Sequence, residues 1–337
     1  MDHSCSRRSF LKKSSFLPFG LAATSRLQAD AHGDYPISLA QWSLHRALRG
    51  GELDNLDWAQ FTKDTFDIHA LEYVNQFFAQ GDRKKDRLGL QPKGKEYLLE
   101  MNKRTVDLGM TNVLIMCDGV GQLGNPDDTR RGDAVEGHVA WLEAANHLGC
   151  HAIRVNAASD PNLPAEEQEK LCADGLRSLS ERASQTGLSV IVENHGGLSS
   201  DGAWLASVMK RVDLPNCGTL PDFGNFYLVK NRGKADAYEA QKALYADREL
   251  GEDETGLFYD RYQGIRDLMP YAKGVSAKAH DFDEDGNEIH TDFTQAMALI
   301  KEAGYTGYIG VEYEGKILGE VEGIRKTKAL IERVLAA

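Results

Sequence analysis

The chain has 337 residues, with 39 basic against 51 acidic side chains for a formal net charge of −12, and 42% of its residues are hydrophobic. So much negative charge speaks against nucleic acid or an anionic lipid surface as a partner, and it weighs against a highly phosphorylated substrate. Five cysteines, none in a C-x-x-C spacing, make neither a disulfide scaffold nor a thiolate zinc centre.

The first segment reads Ser6-Arg7-Arg8-Ser9-Phe10-Leu11-Lys12, then an apolar stretch through Phe16, Leu17, Phe19 and Leu21, then small residues around Ala29 and Ala31. A paired arginine, a short apolar run and a small-residue cleavage site are the parts of a twin-arginine signal peptide over residues 1–31. The apolar run is broken by Pro18 and Gly20 and is shorter than the roughly 20 residues a membrane span needs, so no stable membrane insertion is expected. Removing the leader takes away five basic and two acidic residues and moves the net charge from −12 to −15. The expected location is the periplasm, reached by the twin-arginine route that exports folded proteins.

From residue 35 short apolar runs alternate with longer amphipathic stretches. Strands are expected at 37–42, 70–74, 112–117, 152–156, 189–193, 217–222, 275–279 and 308–312. Helices are expected at 58–66, 95–108, 134–148, 165–186, 203–212, 259–269, 293–303 and 321–334. Eight strand-then-helix units in a row indicate a single α/β domain over 35–335, a (β/α)8 TIM barrel. Glycines 109, 149, 187 and 304 stand where helices should stop. No glycine-rich phosphate turn follows the first strand, which disfavours a doubly wound sheet. After strand six a polar segment, 223–260, is too long for an ordinary connection and reads as a lid, a subunit contact or a disordered excursion; helical composition over 236–250 fits a small helical lid over the barrel mouth.

Strands five to eight each end in a metal-ligand type: Glu193, Asp222, His280 and Glu312. One such residue is ordinarily a solvated acid or a satisfied loop histidine. Four at the carboxyl ends of consecutive barrel strands converge on one axis, where acids would repel unless a cation lay between them. The expectation is one mixed oxygen/nitrogen metal site.

In residues 190–195 (VIVENH), 220–225 (LPDFGN), 275–283 (VSAKAHDFD) and 304–315 (GYTGYIGVEYEG) the sequence resembles the xylose isomerase-like TIM barrel family of sugar isomerases and epimerases. The resemblance runs over roughly 35–335. It implies one divalent ion, Mn²⁺, Mg²⁺, Co²⁺ or Zn²⁺, held by Glu193, Asp222, His280 and Glu312, with Glu193 and Glu312 also acting as acid and base. The implied activity is isomerisation or epimerisation of a non-phosphorylated keto-sugar or sugar derivative through an enediolate. Expulsion of a β-leaving group from the same enediolate would instead make a lyase that cleaves 3-keto-glycosides. A barrel that binds sugar without turnover is the further alternative, and a homo-oligomer is left open. Two positions depart from the ketose 3-epimerase pattern: Asn225 stands for a substrate-binding histidine and Gly286 for an arginine. Lys278 is absent from that pattern and is assigned a catalytic role, donating to a substrate oxygen or enolate. His195, Asn156, Asn225 and Trp42 are the expected substrate-binding residues.

Overall fold

The computed structural model describes residues 35–337; the expected signal peptide, 1–31, lies outside them. Eight short runs rich in Val, Ile, Leu and Ala form the barrel strands: β1 Ile37–Ala40, β2 Ala70–Val74, β3 Thr111–Met116, β4 Ala152–Val155, β5 Ser189–Glu193, β6 Cys217–Leu220, β7 Val275–Ala279 and β8 Ile309–Tyr313. Strands buried on both sides need not alternate strictly between apolar and polar, and these do not. They pair in the order β7-β8-β1-β2-β3-β4-β5-β6, every neighbour parallel. Parallel bridges from Thr219 to Ala272 and from Asp222 to Ser276 carry the end of β6 to β7 and close the ring. Besides a short helix at His45–Gly50 and one in the excursion after β6, the helices are α1 Trp58–Phe66, α2 Lys95–Asp107, α3 Asp128–Leu148, α4 Ala165–Ser184, α5 Gly202–Val212, α6 Arg261–Leu268, α7 Phe293–Glu302 and α8 Glu320–Leu335. The fold is thus the expected (β/α)8 barrel. Element ends move by a few residues, except that α3 begins at Asp128 rather than 134, where Asp127 caps it by accepting from the Arg130 amide.

Side-chain parity divides the strands between two cores. Val190, Val192, Val275, Ala277, Ala279, Ile309, Val311 and Tyr313 pack outward with the helices in the large core. Ala40, Ala70, Val74, Ala152, Ile191 and Leu220 make the smaller cluster inside the barrel. The inward positions nearer the carboxyl ends are polar and buried: Arg154, Glu193, Asp222, Ser276, Lys278 and Glu312.

The excursion after β6 differs from the helical lid expected from composition. Its helix, Ala235–Lys242, is followed by only one 3-10 turn, and a three-stranded antiparallel sheet joins Gly251–Glu252, Gly256–Phe258 and Tyr227–Lys230. Leu228, Val229, Tyr238 and Leu257 give it a core of its own. The strands are too short to register as periodic runs in the sequence. The Arg248–Asp201 ion pair and the Tyr259–Asp267 hydrogen bond, 2.7 Å, fasten the excursion to the barrel.

Candidate active site

Glu193 ends β5, Asp222 lies just past β6, and Glu312 lies in β8. Each presents a carboxylate oxygen, and the three oxygens fall within 4.8 Å of one another in the buried upper barrel. Hydrogen bonds fix each acid. Asp222 Oδ1 accepts from the amides of Gly224 and Asn225, both at 2.9 Å, while the Asn194 side chain pairs with the Asp222 backbone. Asn225 Nδ2 donates to Glu193 Oε1 at 3.0 Å. Ser276 Oγ lies 2.6 Å from Asp222 Oδ2 and 2.8 Å from Glu312 Oε2.

The residue that β7 sends to the triad is Lys278, not His280. In the β7–β8 register Lys278 lies opposite Glu312, whereas His280 sits one inward position further along, beyond the strand end. Lys278 Nζ is 3.0 Å from Glu314 Oε1, and 3.8, 3.6 and 3.7 Å from an oxygen of Glu193, Asp222 and Glu312. His280 is outside the triad, its ring 6.1 Å from that of His290.

A second cation, Arg154 of β4, completes the electrostatics. Its Nε is 2.9 Å from Glu193 Oε2, although neither atom is aligned for a hydrogen bond, and its other arm donates to Asp118 Oδ1 at 2.9 Å. Burial raises the Asp222 and Glu312 carboxyls, with neighbouring acids adding to it against the pull of Lys278. Burial works the same way on Asp118 and Glu314, but Arg154 and Lys278 outweigh it and hold each at about 2. Burial would lower the Lys278 ammonium, yet Asp222, Glu312, Glu314 and Glu193 together raise it well above the ordinary range. Lys278 and Arg154 therefore face five acids, a surplus of negative charge in a buried place. Three hard oxygen donors with uncompensated charge are a donor set that suits one divalent cation.

Above this cage opens a cavity of about 680 Å³. His195, Asn225, Lys278 and Glu314 form its barrel side, and Tyr227, Lys230 and Tyr238 of the excursion form the opposite wall. Of the residues expected to bind substrate, His195 and Asn225 reach it. Asn156 does not line it; its Nδ2 donates to Asp118 at 2.8 Å and so steadies the acid that holds Arg154. Trp42 is also absent from the wall, stacked on His45 at 4.8 Å with Arg49 over its ring. Arg154, Ser276 and Glu314 were not expected. All three are polar residues at inward parity, a signal readable from the strands once the direction of each strand is known.

A family model described as xylose isomerase-like TIM barrel matches residues 69–334. The chain is 35% identical over 75 residues to the C-glycoside deglycosidase alpha subunit of Arthrobacter globiformis. That match covers 20% of this chain and 21% of the relative. It is 34% identical over 67 residues to a 3'-dehydrocarminate deglycosidase alpha subunit of a Microbacterium, covering 20% of this chain and 19% of that one. The matches thus span about a fifth of the length of these curated relatives. In fold it is similar to 3-keto-D-glucoside 4-epimerase, YcjR, from E. coli, with a TM-score of 0.56 and 17% identity over 83% of this chain and 94% of that one. On the match across most of its length, the chain belongs to the xylose isomerase-like TIM barrel family.

Proposed function

We propose that the protein is a sugar-modifying isomerase or epimerase that moves the proton α to the carbonyl of a non-phosphorylated keto-sugar. The observation that carries this reading is the convergence of Glu193, Asp222 and Glu312 beneath a cavity of about 680 Å³ at the carboxyl ends of the strands. Glu193, Asp222 and Glu312 would hold one divalent ion, Mn²⁺, Mg²⁺, Co²⁺ or Zn²⁺, which when bound supplies the positive charge that favours an enediolate. Glu193 and Glu312 come from non-adjacent strands, and on this reading one removes the proton and the other returns it on the opposite face. Lys278, which lines the cavity, donates to the developing oxyanion. His195 and Asn225 orient sugar hydroxyls from the same floor, and Arg154 holds Glu193 in place.

A second reading has a specific support. Both curated relatives are named deglycosidases, one of them for a 3'-dehydro compound, and one of the similar folds is named for a 3-keto-glucoside. The same enediolate formed from a 3-keto-glycoside would expel the aglycone by β-elimination. The paired Arg7-Arg8 and the short apolar run after them support, for either chemistry, export by the twin-arginine route and a periplasmic site of action. Incubating the protein with 3-keto-glycosides and free ketoses in heavy water, followed by NMR, tests both. Deuterium at the α-carbon with an epimerised or isomerised sugar supports the first reading. Release of the aglycone supports the second, and neither event with any keto-sugar sinks both.

A further inference from the structure

An ion seat made of Glu193, Asp222 and Glu312 leaves the placement of Lys278 unexplained. A substrate-facing lysine needs contact with the cavity and one acid to hold it. Lys278 has more: Nζ is within 3.6–3.8 Å of one oxygen from each member of the triad, a near-equal spread resembling that around a central cation. Its side chain is 3% exposed. Space for the stem comes from Gly224, where even a Cβ would lie 3.1 Å from Lys278 Cδ. The cavity wall includes Lys278, Asn225 and Glu314 but none of the three acids, so Lys278 lies between the cavity and the triad. An ion arriving from the cavity meets a like charge already seated on its ligands, and in a site this buried the two repel strongly.

Resting on the proposal that the triad is an ion seat, we infer that Lys278 is a tethered counter-ion that occupies the triad and competes with divalent cations for it, withdrawing toward Glu314 when an ion binds. Glu314 is suited to receive the ammonium: it is the nearest partner, at 3.0 Å, and it lines the cavity. The chain thereby carries its own cation for the cage, and metal affinity is set by how readily the lysine yields.

The test is calorimetric titration of Mn²⁺ into the wild-type protein and into K278Q, K278M and K278R, at one pH and salt concentration, with circular dichroism to verify folding. The neutral variants should bind Mn²⁺ about tenfold tighter or more, while K278R, which keeps the charge, should stay at or below wild-type affinity. Misfolding can only weaken binding, so a gain in both K278Q and K278M cannot arise from damage. Wild-type binding matched or lost in both neutral variants overturns the competition and leaves the ion seat standing. Absence of Mn²⁺ binding in all four proteins overturns the ion seat and the competition together.

Discussion

Asp222 and Glu312 share a single hydroxyl, that of Ser276, at 2.6 and 2.8 Å. One hydroxyl has one proton, so it donates to one acid and accepts from the other, which must then carry a proton of its own. Burial raises both carboxyls and makes that proton easy to hold. Ser276→Ala should therefore leave two buried acids short of a partner and cost about 1–3 kcal/mol of stability, read by chemical denaturation. A variant as stable as wild type would show that the hydroxyl is dispensable to the cage.

Arg154 bridges Asp118 and Glu193 from a side chain that is 4% exposed. Removing one partner from a buried ion pair strands the other charge. Arg154→Met is expected to lose about 3–5 kcal/mol of stability, far more than an exposed pair would account for. Denaturation of R154M beside an exposed-pair control such as Lys103→Ala measures the contrast.

Glu72 sits lower in the barrel, its Oε1 2.5 Å from Ser38 Oγ and its Oε2 without a protein partner. Gly310 makes room for it, since a Cβ there would lie 2.7 Å from Oε1. Burial raises its carboxyl from 4.5 to about 7. A raised acid favours the folded state fully below its unfolded value, and this contribution is lost as pH climbs from about 4.5 through about 7, on the order of 3 kcal/mol in all. Glu72→Gln should flatten that part of the stability profile and be the more stable protein at pH 8. Parallel profiles for the two proteins between pH 4.5 and 8 would contradict this.

If Glu193 and Glu312 serve opposite faces of the sugar, Glu193→Gln and Glu312→Gln should each lose about 10²- to 10⁴-fold in turnover. Where the variant still holds its ion, checked by elemental mass spectrometry, each should wash deuterium into the epimer whose proton faces the surviving acid. Loss of exchange from both epimers in ion-loaded variants would show that the two acids do not divide the faces between them.

The barrel was legible because its signals are local: apolar runs of strand length, amphipathic helices between them and glycines at helix ends. The acids of the triad were legible for the same reason, since each ends or follows such a run. Chemical type alone points to His280 as the ligand from β7, but strand register, which depends on the neighbouring strand, puts Lys278 level with Glu312 instead. Arg154 and Ser276 were passed over because a polar residue within a strand carries no label for inward or outward until the ring is closed. Trp42 lies in the turn just past β1, where a sugar-stacking residue could stand, but the excursion builds the cavity on the other side, against β5, β6 and β7. The excursion's sheet escaped notice because strands of two to four residues leave no period to detect.

The most direct test of the central claim is the number of divalent ions bound at saturation, by elemental mass spectrometry, in the mature wild-type chain, in Asp222→Asn and in His280→Ala, all prepared without chelator or metal-binding tag. The geometry predicts about one ion per chain in the wild type, its loss in D222N and its retention in H280A. No bound ion in the wild type after exposure to Mn²⁺, Mg²⁺, Co²⁺ and Zn²⁺, or an ion that survives in D222N, would contradict it.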